Sequence, residues 1–269
     1  MDNAKKLECM SSIISKAKSY GASLAGICNV QDMKTAPSFT LAPKLPPADV
    51  GSRDSDLGLE PGEVYWPDDA KSAVIIACAH PESKPELDWW LGKMDPPGNR
   101  QLIEINDKLS AWIEASYKIK AYPLPYHIEK GGVFLKDAAY YAGLGCIGIN
   151  NLLITPEYGP RVRLRAMLLS EELVSTGPLA FDPCSSCDSR CLKSCRTKAF
   201  SEIVFSTDIM QQEALPGRIG NYSRSDCNNQ MVKNSESAEF MVLPEYNKEP
   251  VKVVKYCRNC EFSCPVGKI

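Results

Sequence analysis

A chain of 269 residues with 44% hydrophobic and 24% charged residues can bury a substantial core, and it carries neither a low-complexity tract nor a repeat period. Its net charge of -2 sets up no field that would gather phosphates from a distance, so nucleic acid is not the expected partner. No apolar run approaches the roughly 20 residues needed to cross a bilayer and no secretory h-region stands near Met1, so a cytoplasmic chain without a membrane anchor is expected.

In chain order, residues 4–19 place Leu7, Met10, Ile13, Ile14 and Ala17 at helical spacing ahead of Gly21, which predicts a first helix. Residues 23–30 read as a strand, and residues 72–80 form a continuous apolar run of the kind found in a central strand covered on both faces. Between them, residues 35–69 are rich in Pro, Gly and Asp with little periodicity, which reads as a long irregular connection and a candidate lid. Residues 100–116 repeat Leu102, Ile103, Ile105, Leu109, Trp112 and Ile113 as an amphipathic helix, and residues 118–125 read as a strand. A short helix over 134–143 precedes two strands, 152–155 and 162–169, parted by the turn residues 156–160. Helix and strand alternate, so residues 1–175 are expected to form an α/β (α+β) sandwich. Residues 176–269 are expected to be a separate ferredoxin-like module whose fold depends on its metal, because little apolar periodicity survives there.

The chemistry-bearing pattern lies in that second part. Eight of the twelve cysteines fall in the last 86 residues, as Cys184-x2-Cys187-x3-Cys191-x3-Cys195 and as Cys257-x2-Cys260-x3-Cys264-Pro265 preceded by a solitary Cys227. A [4Fe-4S] cluster takes four thiolates, and ferredoxin chains exchange the last cysteine of each run with the other cluster. The crossed division assigns Cys184, Cys187, Cys191 and Cys264 to one cluster and Cys195, Cys227, Cys257 and Cys260 to the other. The first run carries one residue more than the usual spacing, and Arg196 stands where a proline usually follows. Structural zinc and a disulfide framework are the alternatives. Zinc knuckles pair two C-x2-C motifs some 12 to 20 residues apart, far closer than Cys187 and Cys257, and C-x-x-C runs in an intracellular chain favour metal or redox chemistry over disulfides.

Gly143-Leu144-Gly145-Cys146-Ile147-Gly148 matches G-x-G-x-x-G, yet it follows a helix and precedes a strand, the reverse of a dinucleotide fingerprint. It reads instead as a bend where backbone approaches a large ligand closely. Cys9, Cys28 and Cys78 read as buried small hydrophobes, His80 as a strand-end residue, and Trp89-Trp90 as cover for a core edge. Cys146 is either a packed thiol or a reactive, cofactor-facing one.

Taken together, Lys136-Asp137-Ala138-Ala139-Tyr140-Tyr141-Ala142 with the glycine bend, Asn150-Asn151-Leu152-Leu153-Ile154, Pro156-Glu157-Tyr158-Gly159 and the two cysteine blocks resemble epoxyqueuosine reductase. The resemblance implies a cobalamin-dependent reductase related to reductive dehalogenases, with two [4Fe-4S] clusters in a ferredoxin-like module below the corrinoid. By the family's register, its catalytic Asp falls on Glu129, the expected proton donor. Corrinoid contacts are expected from Gly145, Cys146, Gly148, Asn150, Asn151, Asn229 and Tyr256. Arg161, Arg163 and Arg165 alternate along a strand and share one side, either gripping a corrinoid tail or standing on a solvated sheet face.

The chain departs from the family at Cys146, where an aromatic residue is usual, and at Ile149-Asn150, where a Lys-His or Lys-Asn pair is usual. It also ends five residues after Cys264, without the helical repeats that help hold transfer RNA. The expected substrate is therefore a small molecule rather than a transfer RNA. Low-potential electrons from a ferredoxin or flavodoxin would reach a bound cobalamin through the two clusters. An electron-transfer or corrinoid-activating protein without its own substrate is the alternative. Oxygen-sensitive clusters suggest an anaerobic cytoplasm.

Overall fold

The computed structural model describes residues 2–50 and 55–267. Helix α1 (Asn3–Ser19) opens the chain, with the Asp2 carboxylate accepting from the Lys5 N–H at its N-cap. Strand β1 (Leu24–Asn29) follows, then the short helices α2 (Val30–Lys34), α3 (Pro37–Leu41) and α4 (Pro47–Val50). Strand β2 (Ser72–Ala79), the two-residue β3 (Trp90–Leu91) and the long helix α5 (Pro97–Tyr117) come next. Strand β4 (Ala121–Pro123), helix α6 (Leu135–Tyr141), the hairpin β5 (Cys146–Ile147) with β6 (Leu153–Ile154), and β7 (Val162–Leu169) complete the first part.

The main sheet runs β1-β2-β7-β4 and every pair in it is antiparallel. β2 alternates its side chains between two cores, as the unbroken apolar run requires. Val74, Ile76 and Cys78 join Ile13, Leu102, Leu109 and Ile113 under α1 and α5, whereas Ala73, Ile75 and Ala77 join Ala138, Ala139, Leu164 and Leu168 under α6. The result is a helix-sheet-helix sandwich, and each fully buried Ile or Leu contributes about 1.5–3 kcal/mol. Cys9, Cys28 and Cys78 are buried in these cores as expected. At Gly26 the carbonyl of Ala142 comes within 2.2 Å of where a Cβ would stand, so α6 sits directly on β1. Thr176 fastens that contact, its hydroxyl donating to the Ala142 carbonyl at 2.7 Å and accepting from the Ile27 N–H at 2.8 Å.

Three expectations need correction. Residues 118–120 are not strand, because Lys118 closes α5 in the left-handed conformation and pairing starts only at Ala121. Residues 35–69 are not structureless. Asp137 accepts from both the N–H and the hydroxyl of Ser38, and Phe39 packs on Trp66 and Phe134 with ring centroids 5.6 and 4.9 Å apart. Residues 51–54 of that stretch lie outside the described residues. The cysteine-rich part also holds regular structure: helices α7 (Arg190–Lys193), α8 (Thr207–Met210), α9 (Arg224–Glu236) and α10 (Asn259–Phe262), with strands β8 (Glu239–Met241) and β9 (Val251–Val254). These two strands form a sheet with β3 in the order β3-β9-β8, so the first part lends the second a strand. α9 is capped by the Ser223 hydroxyl accepting from the Asp226 N–H and buries no residue, which is why periodicity does not reveal it. No helix among the described residues is long and apolar enough to cross a membrane.

Candidate iron-sulfur and corrinoid site

The eight cysteines gather into two groups. Cys184, Cys187, Cys191 and Cys264 line one pocket together with Asn150 and Ile154. Cys191 comes from α7, Cys184 and Cys187 from the turn before it, and Cys264 from the turn after α10. Burial pushes the Cys191 thiol up to about 11, and the neighbouring Cys264, Cys184 and Cys187 raise it further by repulsion. In the second group, burial raises Cys227, with Cys195 and Cys257 close enough to add to the effect. Cys260 is raised in the same way, and Cys227, Cys257 and Cys191 all bear on it. Thiols such as Cys191, Cys227 and Cys260, whose ionisation burial and neighbouring sulfurs oppose, are held as thiolates only by a strongly cationic or covalent centre. All twelve cysteines are free thiols in the structure. Among the described residues no group of three or more His, Cys, Asp or Glu is placed to hold a single metal ion.

The first part of the chain builds one wall of this site. Arg161, just ahead of β7 and 3% exposed, donates through Nη1 to the carbonyls of Glu261 at 3.2 Å and Cys264 at 3.5 Å, and through Nη2 to Val266. The Cys264 turn is pressed on the 156–160 turn so tightly that a Cβ on Gly159 would meet the Val266 carbonyl at 2.1 Å. Arg161 therefore neither grips a corrinoid tail nor faces solvent. Arg163 does neither as well: its Nε donates to Asn99 at 2.7 Å and its Nη1 pairs with Asp88. Arg165 is half-buried, and its Nε has no partner among the described residues.

The glycine bend lies against the first cysteine group, but its close approaches are to the chain itself. A Cβ on Gly145 would meet the Ile154 carbonyl at 2.0 Å, and one on Gly148 would meet the Asn150 amide oxygen and the Ile154 side chain at 2.7 Å. Glycine is required there by the β5–β6 hairpin, which corrects the idea that an incoming ligand alone explains it. Cys146 packs with Ile154 and Cys264, and burial pushes its thiol up to about 11, so it is a protonated packed group at neutral pH rather than a nucleophile. Asn150 is 3% exposed. Its oxygen accepts from the Leu152 N–H at 3.3 Å, while its Nδ2 has no acceptor among the described residues and the side chain lines the cysteine pocket. An orphaned donor beside four thiols is a good fit for a centre that presents sulfur acceptors.

The remaining expected residues are dispersed. Asn151 sits at φ +57 with its carbonyl accepting from Lys136 Nζ at 2.6 Å. Asn229 is exposed on α9, and Tyr256 lines a different depression beside Cys257, so neither shares the pocket of Asn150. Glu129 lies on a single turn, its side chain 11% exposed and its carboxylate 3.6 Å from His127 Nδ1. Its backbone carbonyl accepts from the Asp56 N–H at 2.9 Å, which ties it to the 35–69 connection. His80 is buried against Arg258 and Glu261; burial and the Arg258 charge push its imidazole down to about 4, so it is a neutral structural group. Trp90 pairs in the small sheet and meets Tyr256 edge-on, with ring centroids 6.3 Å apart.

Sequence reasoning missed Arg218 and Tyr222. Arg218, at φ +73, donates to the Ile147 carbonyl at 2.8 Å, to both oxygens of Asp182 at 2.9 and 2.8 Å, and to the Cys146 sulfur at 3.8 Å. It joins the glycine bend to the loop that carries Cys184. Tyr222 bonds through its hydroxyl to Cys227. Neither belongs to a spaced motif, so no local pattern announces them.

No family model matches the chain. It is 27% identical over 209 residues to epoxyqueuosine reductase from Lactococcus garvieae, covering 75% of this chain and 53% of that protein. It is 40% identical over 98 residues to epoxyqueuosine reductase from Gloeobacter violaceus, covering 35% and 28%. The solved epoxyqueuosine reductase of Streptococcus thermophilus superimposes with a TM-score of 0.64 at 20% identity, over 96% of this chain and 66% of that one. The catabolic reductive dehalogenase NpRdhA does so with 0.62 at 17% identity, over 100% of this chain and 33% of its own. A further epoxyqueuosine reductase structure of this fold holds a modified tRNA-Tyr stem loop, which gives no support to setting nucleic acid aside as a partner. The chain spans about half the length of the Lactococcus garvieae protein and less of the Gloeobacter violaceus one.

Proposed function

We propose that this chain, a member of an epoxyqueuosine reductase-like family, is an iron-sulfur oxidoreductase that delivers low-potential electrons to a bound corrinoid for reduction of a substrate. The observation that carries the reading is the sorting of eight cysteines into two groups of four, one beside the glycine bend. When bound, the clusters would supply one-electron transfer and the corrinoid a reducible cobalt centre.

The protein's own residues would do the rest. Cys184, Cys187, Cys191 and Cys264 would hold the inner cluster, with Asn150 donating to it, and Cys195, Cys227, Cys257 and Cys260 the outer one. Arg161 fixes the Cys264 turn, and Arg218 fixes the bend against the Cys184 loop. The bend, with Gly145, Cys146, Gly148 and Asn151, would form the floor under the corrinoid. Glu129, screened from water and close to His127, would hold the proton that the reduced substrate takes up. Residues 1–175 would be the corrinoid-binding part and residues 176–269 the cluster part, in a cytoplasmic protein reduced by a ferredoxin or flavodoxin.

Anaerobic reconstitution with iron, sulfide and cobalamin tests this. About eight irons per chain with cobalamin retained through gel filtration is the expected result; zinc in place of iron would overturn it. Turnover is then assayed on an epoxyqueuosine-modified stem loop and on small organic epoxides, since one solved epoxyqueuosine reductase holds the former.

A further inference from the structure

Beside Cys257 a groove of about 300 Å³ opens between α9, the β9–α10 turn and the segment before β3. Its lining contains Arg196, Lys255 and Arg258 and not one carboxylate. Arg258 is buried and occupied by Glu261 and Asp88. Arg196 and Lys255 are exposed and make no ion pair among the described residues; the Lys255 ammonium lies 4.2 Å over the Trp89 ring instead. Trp89 and Tyr256 supply half-buried aromatic faces, and Asn234 adds an amide whose Oδ1 has no partner among the described residues.

This composition suits a particular visitor. Two unpaired cations at the rim attract negative charge over about a Debye length, and rigid aromatics contribute contact area at little entropic cost. Cys257 is one of the lining residues, so whatever docks here stands next to the outer cysteine group. In a chain of net charge -2, a groove whose lining carries three cationic side chains and no carboxylate is complementary to an acidic surface.

The geometry points to this groove as the docking surface for an acidic one-electron carrier protein, with Arg196 and Lys255 steering it and Trp89 and Tyr256 forming the contact. The inference rests on the outer cysteine group holding an iron-sulfur cluster. In the transfer itself the reduced carrier loses one electron and that cluster gains it; no bond forms or breaks and no proton moves. Such encounters are small and short-lived, and their speed comes from charge rather than from buried area.

The test uses the reconstituted full chain and a reduced acidic plant-type ferredoxin, with cluster bleaching followed by stopped flow. Arg196→Glu and Lys255→Glu are each expected to slow the second-order rate about tenfold at low ionic strength, and the wild-type advantage to vanish near 0.5 M salt. Lys255→Arg should keep the wild-type rate. Iron content and the rate of reduction by dithionite should be the same in all variants, which shows that folding and clusters are intact. Unchanged ferredoxin rates and salt dependence in both reversals overturn the assignment. So does a concentration-dependent dimer abolished by Lys255→Glu, which would give the groove to a second copy. A wild-type chain that takes up no iron fails earlier, and overturns the functional reading on which the docking surface rests.

Discussion

Arg161 reaches across 103 positions of sequence to the carbonyl of Cys264, 3.5 Å from its Nη1. A single guanidinium thereby links the base of the central strand β7 to the turn that carries Cys264, the last cysteine of the inner group. Buried carbonyls deprived of a charged donor cost about 1–3 kcal/mol apiece, partly offset by water. Arg161→Met is expected to destabilise the chain by about 3 kcal/mol and to lower iron from eight toward four per chain after reconstitution. Urea unfolding with parallel iron assay reads both; a stable variant with full iron would show that the link is dispensable.

Asn150 offers the inner group a donor that has no other partner among the described residues. Asn150→Asp replaces that donor with a carboxylate beside four thiols, and about half the iron should be lost. Asn150→Ala leaves only the Leu152 N–H unpaired, so about 1 kcal/mol of stability should go, with the iron retained and the inner cluster harder to reduce. Potentiometric titration followed by EPR distinguishes the variants, and identical potentials in wild type and Asn150→Ala would refute the donor role.

The fold was legible where one face or two had to be covered. β2 is an apolar run buried on both faces, and α5 shows its stripe plainly, so both stand close to where periodicity puts them. The cysteine spacing marks two runs, and only the ferredoxin habit of exchanging the last cysteine of each run places Cys264 with Cys184, Cys187 and Cys191, which line one pocket together. What spacing could not show was partnership across the chain. The order β1-β2-β7-β4 depends on packing between segments some 90 residues apart, and β3 is two residues long, too short to carry a pattern. Arg161 and Arg163 looked like a solvated or ligand-binding row because alternation gives a side but not what covers it.

Cys28 gives a pH signature independent of any metal. Burial pushes its thiol up to about 12 from an unfolded value of 9.0. A group whose folded pKa is raised contributes stability that is fully present below pH 9 and is lost as pH rises toward the folded value. Three pH units at about 1.4 kcal/mol each set an upper bound of about 4 kcal/mol. Stability should therefore fall between pH 9 and 11 more steeply in wild type than in Cys28→Ala, and Cys28 should resist iodoacetamide at pH 8. Equal slopes in the two proteins, or rapid alkylation, would contradict the burial argument.

Glu129→Gln separates proton delivery from electron delivery. Iron content, cobalamin retention and reduction of the bound corrinoid should match the wild type, while turnover of whichever substrate is accepted drops about 100-fold. A variant that turns over normally removes Glu129 from the chemistry.

The crossed pairing of the cysteines is most directly read from double variants, with iron counted and clusters identified by Mössbauer spectroscopy after anaerobic reconstitution. Cys187→Ala with Cys264→Ala falls within one group and should leave about four irons in a single intact cluster, whereas Cys187→Ala with Cys257→Ala strikes both groups and should leave almost none. Four irons retained in the second double variant, or none in the first, would contradict the division into Cys184, Cys187, Cys191, Cys264 and Cys195, Cys227, Cys257, Cys260.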